Sequence, residues 1–259
     1  MLLLSVTLAM LVSSLAYRAR ALTRGGAAAA WVVGTLIFGL GGWRWAFALL
    51  TFFCTSTLLS RWRRRQKAGL GFEKTGRRDA RQVLANGGVA ALSTIFPWLH
   101  LTTTPHAFVF FLGALAAANA DTWATEIGAG FSGQPYDIWT RKAVPTGTSG
   151  AVSGGGLLAA LAGAALLGLF SSTVATGLCV TASGLLGSLG DSWLGATVQA
   201  QWRDPRRPGH WTERPQPGPP GRGRRWMDND RVNLLCTLLG ALLAGMLINL
   251  PADGLHFSR

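Results

Sequence analysis

Eight stretches of this chain are too apolar to be left in water, and each is followed by a polar or basic connection. They lie at about 2 to 17, 27 to 41, 44 to 60, 83 to 100, 106 to 124, 150 to 170, 173 to 197 and 232 to 251. A bilayer's hydrocarbon core is about 30 Å thick and takes about 20 apolar helical residues to cross. Runs of this length predict an all-α, polytopic membrane protein of about eight transmembrane helices. The second and third runs are short, and read as spans, as one broken pair or as a re-entrant hairpin. The first has neither a basic leader nor an A-x-A cleavage site and reads as a span. Gly (34) and Trp (11) are abundant, as expected where helices pack closely and indoles sit at the membrane interface. The chain reads as one integral membrane domain over 1–259, with a basic Pro/Gly-rich loop at about 201–225.

The charges test this reading independently. With the amino terminus outside, eight crossings leave segments 18–26, 61–82, 125–149 and 198–231 inside. Of the 24 Lys and Arg residues, only Arg44 and Arg259 then fall outside, which satisfies the positive-inside rule. The net charge of +13 is thereby explained by inner loops facing anionic lipid rather than by nucleic acid, which is not expected as a partner. Cys54, Cys179 and Cys236 stand singly in apolar runs, and no Cys/His spacing suggests zinc or a disulfide.

Carboxylates inside such runs are costly, so their positions carry information. The stretch "AANADTWATEIG" ends the fifth run with Asp121 and Glu126, Asp191 lies near the inner end of the seventh, and Asp228 and Asp230 precede the eighth. Apart from Asp253, every acidic residue lies inside or at the inner boundary. This pattern suits a cation site open to the cytoplasm. "ADTWAT" at 120–125 also echoes "GDSWLGAT" at 190–197. An internal repeat would leave this signature and would bring Asp121 and Asp191 together. Trp123 and Trp193 within the echo read as interface anchors, and Asn119 and Gln199 as either helix glue or ligand contacts.

Between the two Asp-bearing runs lies "TRKAVPTGTSGAVSGGG". Arg141 and Lys142 supply cations. Gly147, Thr148, Ser149 and Gly150 are expected to open the sixth helix with amides that face a phosphate. The Gly-Lys-Ser/Thr order of a Walker loop is absent, and an ordinary capped loop reads equally well from this segment alone. Carboxylates for a divalent ion, a basic pair and a glycine-hydroxyl turn, all at one face of a bilayer, form the parts list for phosphoryl transfer to a lipid.

The series "NADTWATEIG", "RKAVPTGTSGAVS", "GSLGDSWLGATVQ" and "DNDRVNLLCTLLGA", running from about 23 to 245, resembles integral-membrane domain-of-unknown-function family 92. That family contains transmembrane protein nineteen-like members and the plant phytyl-phosphate kinase. The resemblance implies a membrane kinase that converts a polyprenyl monophosphate of phytyl or geranylgeranyl type to its diphosphate. Its expected partners are Mg²⁺, CTP or another nucleoside triphosphate, and membrane lipids.

Carried over by position, the motif residues are Asn119, Asp121, Thr122, Glu126, Lys142, Pro145, Gly147, Thr148, Ser149, Gly150, Asp191, Ser192, Gln199, Asp228, Asn229, Asp230 and Asn233. Asp121, Lys142 and Asp191 are the expected catalytic residues, and Asp121, Asp191, Asp228 and Asp230 the expected metal ligands. Asn119, Glu126, Arg141, Gly147, Thr148, Ser149, Gly150, Ser192, Gln199, Asn229 and Asn233 are the expected substrate or nucleotide contacts. The prenyl tail is expected between Gly-rich helices, among Gly154-Gly155-Gly156 and Gly184, Gly187 and Gly190. The location implied is the cell's inner or plasma membrane with the site facing the cytoplasm. The long loop 201–225 departs from the family pattern. A CTP-dependent prenol kinase, a CDP-lipid-forming nucleotidyltransferase and a cation-coupled transporter are the alternatives.

Overall fold

The computed structural model describes residues 2–62, 76–128 and 133–249. Arg63, Arg64, Arg65, Lys67 and Lys74 of the basic cluster, together with Asp253 and Arg259, lie outside the described residues. Every predicted apolar run contains a helix: α1 Leu2–Arg18, α2 Arg24–Leu36, α3 Trp43–Trp62, α4 Ala80–Ser93, α5 Thr104–Gly128, α6 Gly154–Gly168, α7 Val174–Thr197 and α8 Asn229–Ile248. Two short antiparallel hairpins join them, β1 Tyr136–Asp137 with β2 Ala151–Val152 and β3 Trp202–Arg203 with β4 Trp211–Thr212.

Eight helices do not amount to eight demonstrated crossings. Among the described residues four helical segments are long and apolar enough to span, Arg24–Gly41, Thr104–Gly128, Val174–Thr197 and Asn229–Ile248, while Leu2–Arg18 and Gly154–Gly168 are shorter. The fourth run falls short because its helix stops at Ser93; at 1.5 Å per residue it extends about 21 Å. The second run ends in a π turn, Ile37–Gly41, and Gly42 at φ 83° breaks it from α3.

α5 is the axis of the bundle, packed against α3, α4, α6, α7 and α8. Nearly every residue from Ala107 to Ala120 is buried, because the alanines present little bulk and the neighbours answer with glycine. A Cβ on Gly113 would stand 2.4 Å from the Gly240 carbonyl oxygen of α8, and one on Gly184 of α7 would stand 2.7 Å from the Ala116 Cβ. Packing of this closeness is how helices associate where lipid removes the hydrophobic drive between them. The outward side chains are apolar, with Leu158, Leu178 and Met246 all exposed, as a lipid-facing surface requires.

The helix directions alternate, so the carboxyl ends of α3, α5 and α7 and the amino ends of α4, α6 and α8 gather at one end of the bundle. At the opposite end Trp45, Phe108 and Phe111 pack ring against ring. There Arg44 donates through Nη2 to the Phe170 carbonyl oxygen at 2.6 Å and covers the Phe108 ring.

Candidate active site

A polar cavity of about 240 Å³ occupies the gathered end. Its walls come from the last turns of α3 (Ser60), α5 (Asp121, Thr122, Thr125, Glu126) and α7 (Ser188, Asp191, Ser192), and from the first turns of α4 (Gln82), α6 (Gly156) and α8 (Asn229, Asn233). The arrangement has an electrostatic meaning. Three helices direct their positive, amide-bearing ends at the cavity, which favours anions. The chain places carboxylates on two of the three facing ends, those of α5 and α7, where they can hold a cation.

Asp121 and Asp191, seventy positions apart in sequence, line the same cavity. Asp191 Oδ2 is buried and has no hydrogen-bond partner among the described residues. The charges of Asp121 and Glu213 act on this carboxylate. Glu126 is 4% exposed and its Oε1 accepts from Ser60 Oγ at 2.6 Å, which ties the end of α5 to α3. Among the described residues no three Asp, Glu, His or Cys side chains stand together as a ready-made metal cage.

The glycine-hydroxyl stretch lines the cavity from Thr146 to Ser153, but it is not the start of a helix. Gly147 (φ 88°) and Gly150 (φ 82°) shape a turn that enters β2, and the first turn of α6 is capped instead by Ser153, whose Oγ accepts from the Gly156 amide at 3.1 Å. A Cβ on Gly150 would meet the Ala196 amide nitrogen at 2.4 Å, so only glycine lets this turn lie on the end of α7. Ser149 Oγ donates to Glu213 Oε1 at 2.5 Å. That bond reaches into the loop whose role the sequence left open.

The loop is itself folded. Trp211 is flanked by the guanidinium groups of Arg203 (4.0 Å) and Arg222 (4.6 Å), and Arg222 pairs with buried Asp137 at 3.5 Å. Gln201 Nε2 donates to the Gly195 carbonyl oxygen at 2.7 Å. These contacts clamp β3–β4 over the end of α7 and put Glu213 in the cavity wall.

Several expected contacts lie elsewhere. Arg141 and Lys142 are exposed on the hairpin next to β1 and are not among the lining residues. Asn119 is fully buried and works as glue: Oδ1 accepts from Thr55 Oγ1 (3.2 Å) and Ser56 Oγ (3.3 Å), and Nδ2 donates to the Gly163 carbonyl oxygen (2.8 Å). Gln199 is buried behind Gly223 and outside the lining. Asp228 caps α8 by accepting from the Arg231 amide at 3.0 Å and pairs with the Arg231 side chain at 3.5 Å. Asp230 is buried in the first turn of α8, also outside the lining. Trp123 packs on Gly163 of α6, whereas Trp193 is exposed and meets Trp139 edge to face.

Among the described residues, the cation that lines the cavity is Arg78. Its backbone is fixed to the segment before α2, donating to the Ala21 carbonyl and accepting from the Thr23 amide. Its guanidinium lies 5.8 Å from the Phe52 ring centroid. Burial lowers its pKa and the Glu126 carboxylate opposes that shift, so the group remains a cation at neutral pH. It stands just before α4, whose Gln82 and Asn86, at i, i+4 spacing on one face, line the cavity beside it. The basic loop obscured Arg78 in the sequence, where it is one of many arginines. Its position just before the Asp79–Gln82 capping box is the signal that could have singled it out.

The sequence profile of the family described as "Integral membrane protein DUF92" matches residues 7–241. The chain belongs to the DUF92 family. Its similarity to other members runs through most of its length. It is 32% identical to Protein PGR of Arabidopsis thaliana over 76% of this chain and 79% of that one. With an uncharacterized membrane protein of Methanocaldococcus jannaschii it shares 29% identity over 89% and 87% of the two chains. With Protein VTE6, chloroplastic, of Arabidopsis thaliana it shares 27% over 86% of this chain and 64% of that one. No solved structure matches. Every residue lining the polar cavity falls inside the DUF92 match, so the cavity belongs to the part of the chain that defines the family.

Proposed function

We propose that this DUF92 protein is a membrane-embedded kinase that transfers a phosphoryl group from a nucleoside triphosphate to a polyprenyl monophosphate of phytyl or geranylgeranyl type. One observation carries the reading. Asp121, Asp191 and Glu213 share a single cavity with Arg78, a glycine-hydroxyl turn and three helix amino termini. Carboxylates for a metal and donors for phosphate are thus juxtaposed at one end of a membrane bundle. The resemblance to a family that includes a phytyl-phosphate kinase supplies the substrate class.

In the reaction a terminal phosphate oxygen of the prenyl monophosphate attacks the γ-phosphorus of the donor. The bond from that phosphorus to the β,γ-bridging oxygen breaks, and prenyl diphosphate and nucleoside diphosphate leave. The nucleophile is already an anion, so no Ser-His or Cys-His pair is required. The chain has to neutralise crowded charge and hold the reactants in line. Arg78 would take the acceptor phosphate, and the 147–150 turn with Ser192 and Asn233 would orient the donor.

Mg²⁺ fits the donor set. Asp191 offers a buried carboxylate oxygen with no hydrogen-bond partner among the described residues, and Asp121 lies in the same wall. Mg²⁺ characteristically takes one or two carboxylates and completes its shell with water and phosphate, which agrees with the lack of a closed cage among the described residues. Asp121 and Asp191 would hold the ion, which when bound would supply positive charge against the crowded phosphates. Asp228 and Asp230 are not needed for this set. By the positive-inside rule this end of the bundle faces the cytoplasm, where nucleotide is available.

The test is a purified-protein assay crossing CTP, ATP and UTP with phytyl, farnesyl and geranylgeranyl monophosphates. Prenyl diphosphate plus nucleoside diphosphate is the expected product. CDP-lipid plus pyrophosphate would make it a nucleotidyltransferase, and the absence of both products would return it to the carrier class.

A further inference from the structure

A second cavity, of about 290 Å³, lies among α1, α2, α3 and α4 and is almost wholly apolar. Leu8, Val12, Val33, Leu49 and Phe53 are part of its wall. Its polar boundary is formed by Arg78, Gln82 and Asn86, the same three residues that line the polar cavity. The two spaces therefore meet along one face of α4, the first lined by carboxylates and hydroxyls and the second by aliphatic and aromatic carbon. Val12 and Trp43, both exposed on the outer surface, also belong to the apolar wall. The cavity opens sideways, toward lipid.

We infer that this apolar cavity holds the isoprenoid chain of the phosphorylated lipid, with Arg78, Gln82 and Asn86 gripping its phosphate where the two cavities join. The inference rests on the prenyl-phosphate reading above and gives it a place. An amphiphile with an anionic head and a hydrocarbon tail matches the pair of spaces in charge and polarity.

Where the sequence suggests the tail would lie, the Gly-rich helices are tight at Gly184, Gly187 and Gly190, while Gly154 faces open space. Cβ atoms on Gly184, Gly187 and Gly190 would meet neighbours at 2.7, 2.6 and 2.6 Å, and one on Gly156 would meet Ser153 Oγ at 3.2 Å. Glycine there brings helices into contact and leaves no channel. The volume of the apolar cavity is near the lower end of the range for ligand pockets, roughly 300 to 1,000 Å³. It therefore encloses the isoprene units nearest the phosphate and leaves the rest of the chain among bilayer lipids.

The experiment uses the full chain in nanodiscs and a geranylgeranyl monophosphate carrying a diazirine on its second isoprene unit. Irradiation should leave adducts on α1–α4, at positions such as Leu8, Val12, Leu49 and Phe53, and excess unlabelled geranylgeranyl monophosphate should abolish them. Ala46→Phe and, independently, Val12→Phe should cut the adduct yield at least tenfold. Each should raise KM for geranylgeranyl monophosphate tenfold. Adducts concentrated on α6 and α7, or equal labelling by a diazirine-bearing phosphatidylcholine, would overturn the assignment. Competed adducts on α1–α4 with no prenyl diphosphate formed from any nucleotide would keep the cavity and sink the kinase. Turnover with adducts elsewhere would do the reverse.

Discussion

The two halves of this bundle are packed on different principles. In the carboxyl half, α5 to α8 touch through glycine and alanine, and the Gly113 and Gly240 backbones meet with no room for a methyl group. In the amino half, α1 to α4 surround an apolar space of about 290 Å³. The contrast assigns separate work to the halves. The tight one carries Asp121 and Asp191 into the polar cavity, and the other encloses the apolar volume.

The largest effect expected from this contrast is on folding. Even a Cβ on Gly240 would stand 2.5 Å from the Gly113 carbonyl oxygen and 2.6 Å from the Ala117 Cβ, so Gly240→Leu would drive a whole side chain into both. Overpacking costs about 1 to 3 kcal/mol, occasionally more, and here backbone must move. Size-exclusion chromatography should show loss of the monodisperse species. Ala30→Leu, in the wall of the apolar cavity, should elute as the parent does. Equal tolerance of both changes would erase the distinction between the halves.

Next come the carboxylates. Asp191→Asn and Asp121→Asn keep volume and polarity but remove a metal ligand's charge, so prenyl-phosphate phosphorylation should fall by at least about a hundredfold with elution unchanged. Full Mg²⁺-dependent activity in both folded variants would make these carboxylates structural. Activity lost on chelation should return with added Mg²⁺.

A smaller difference should separate the two candidate cations. Arg78→Gln removes the charge lining both cavities and should raise KM for prenyl phosphate by about ten- to a hundredfold, since a hydrogen bond to a charged group contributes about 1.5 to 3 kcal/mol. Lys142→Ala, on the exposed hairpin, should change KM by less than about threefold, as surface charges generally contribute about 1 kcal/mol or less. The reverse ranking would mean that the hairpin closes over the cavity when nucleotide binds. The smallest effect concerns access alone: single cysteines at Gln216 and at Gly76 should be labelled by a membrane-impermeant reagent from the same side, because both segments lie at the polar end of the bundle.

Much of this organisation was legible in the chain itself. Apolar run length and charge asymmetry placed the eight helices, because bilayer thickness and backbone hydrogen bonding leave a chain few ways to cross lipid. The cost of a carboxylate in an apolar run singled out Asp121 and Asp191. Local chemistry misplaced other residues. Arg141 and Lys142 stand beside a Gly-Thr-Ser-Gly turn that lines the cavity, yet φ 57° at Arg141 and the β1–β2 pairing leave both exposed. Asp228 read as a ligand because an N-cap and a metal ligand use the same side chain.

By itself the sequence determined the helices, their order and the cost of burying two aspartates. Each of these depends on what one segment meets in water or lipid. Only the tertiary structure decided that Arg78 is the lining cation and that Glu213 returns from a basic loop to Ser149. It also decided that an apolar space of about 290 Å³ lies among α1 to α4. These are matters of which surfaces touch across tens of residues, and they follow from packing volumes and crossing directions that no single segment carries.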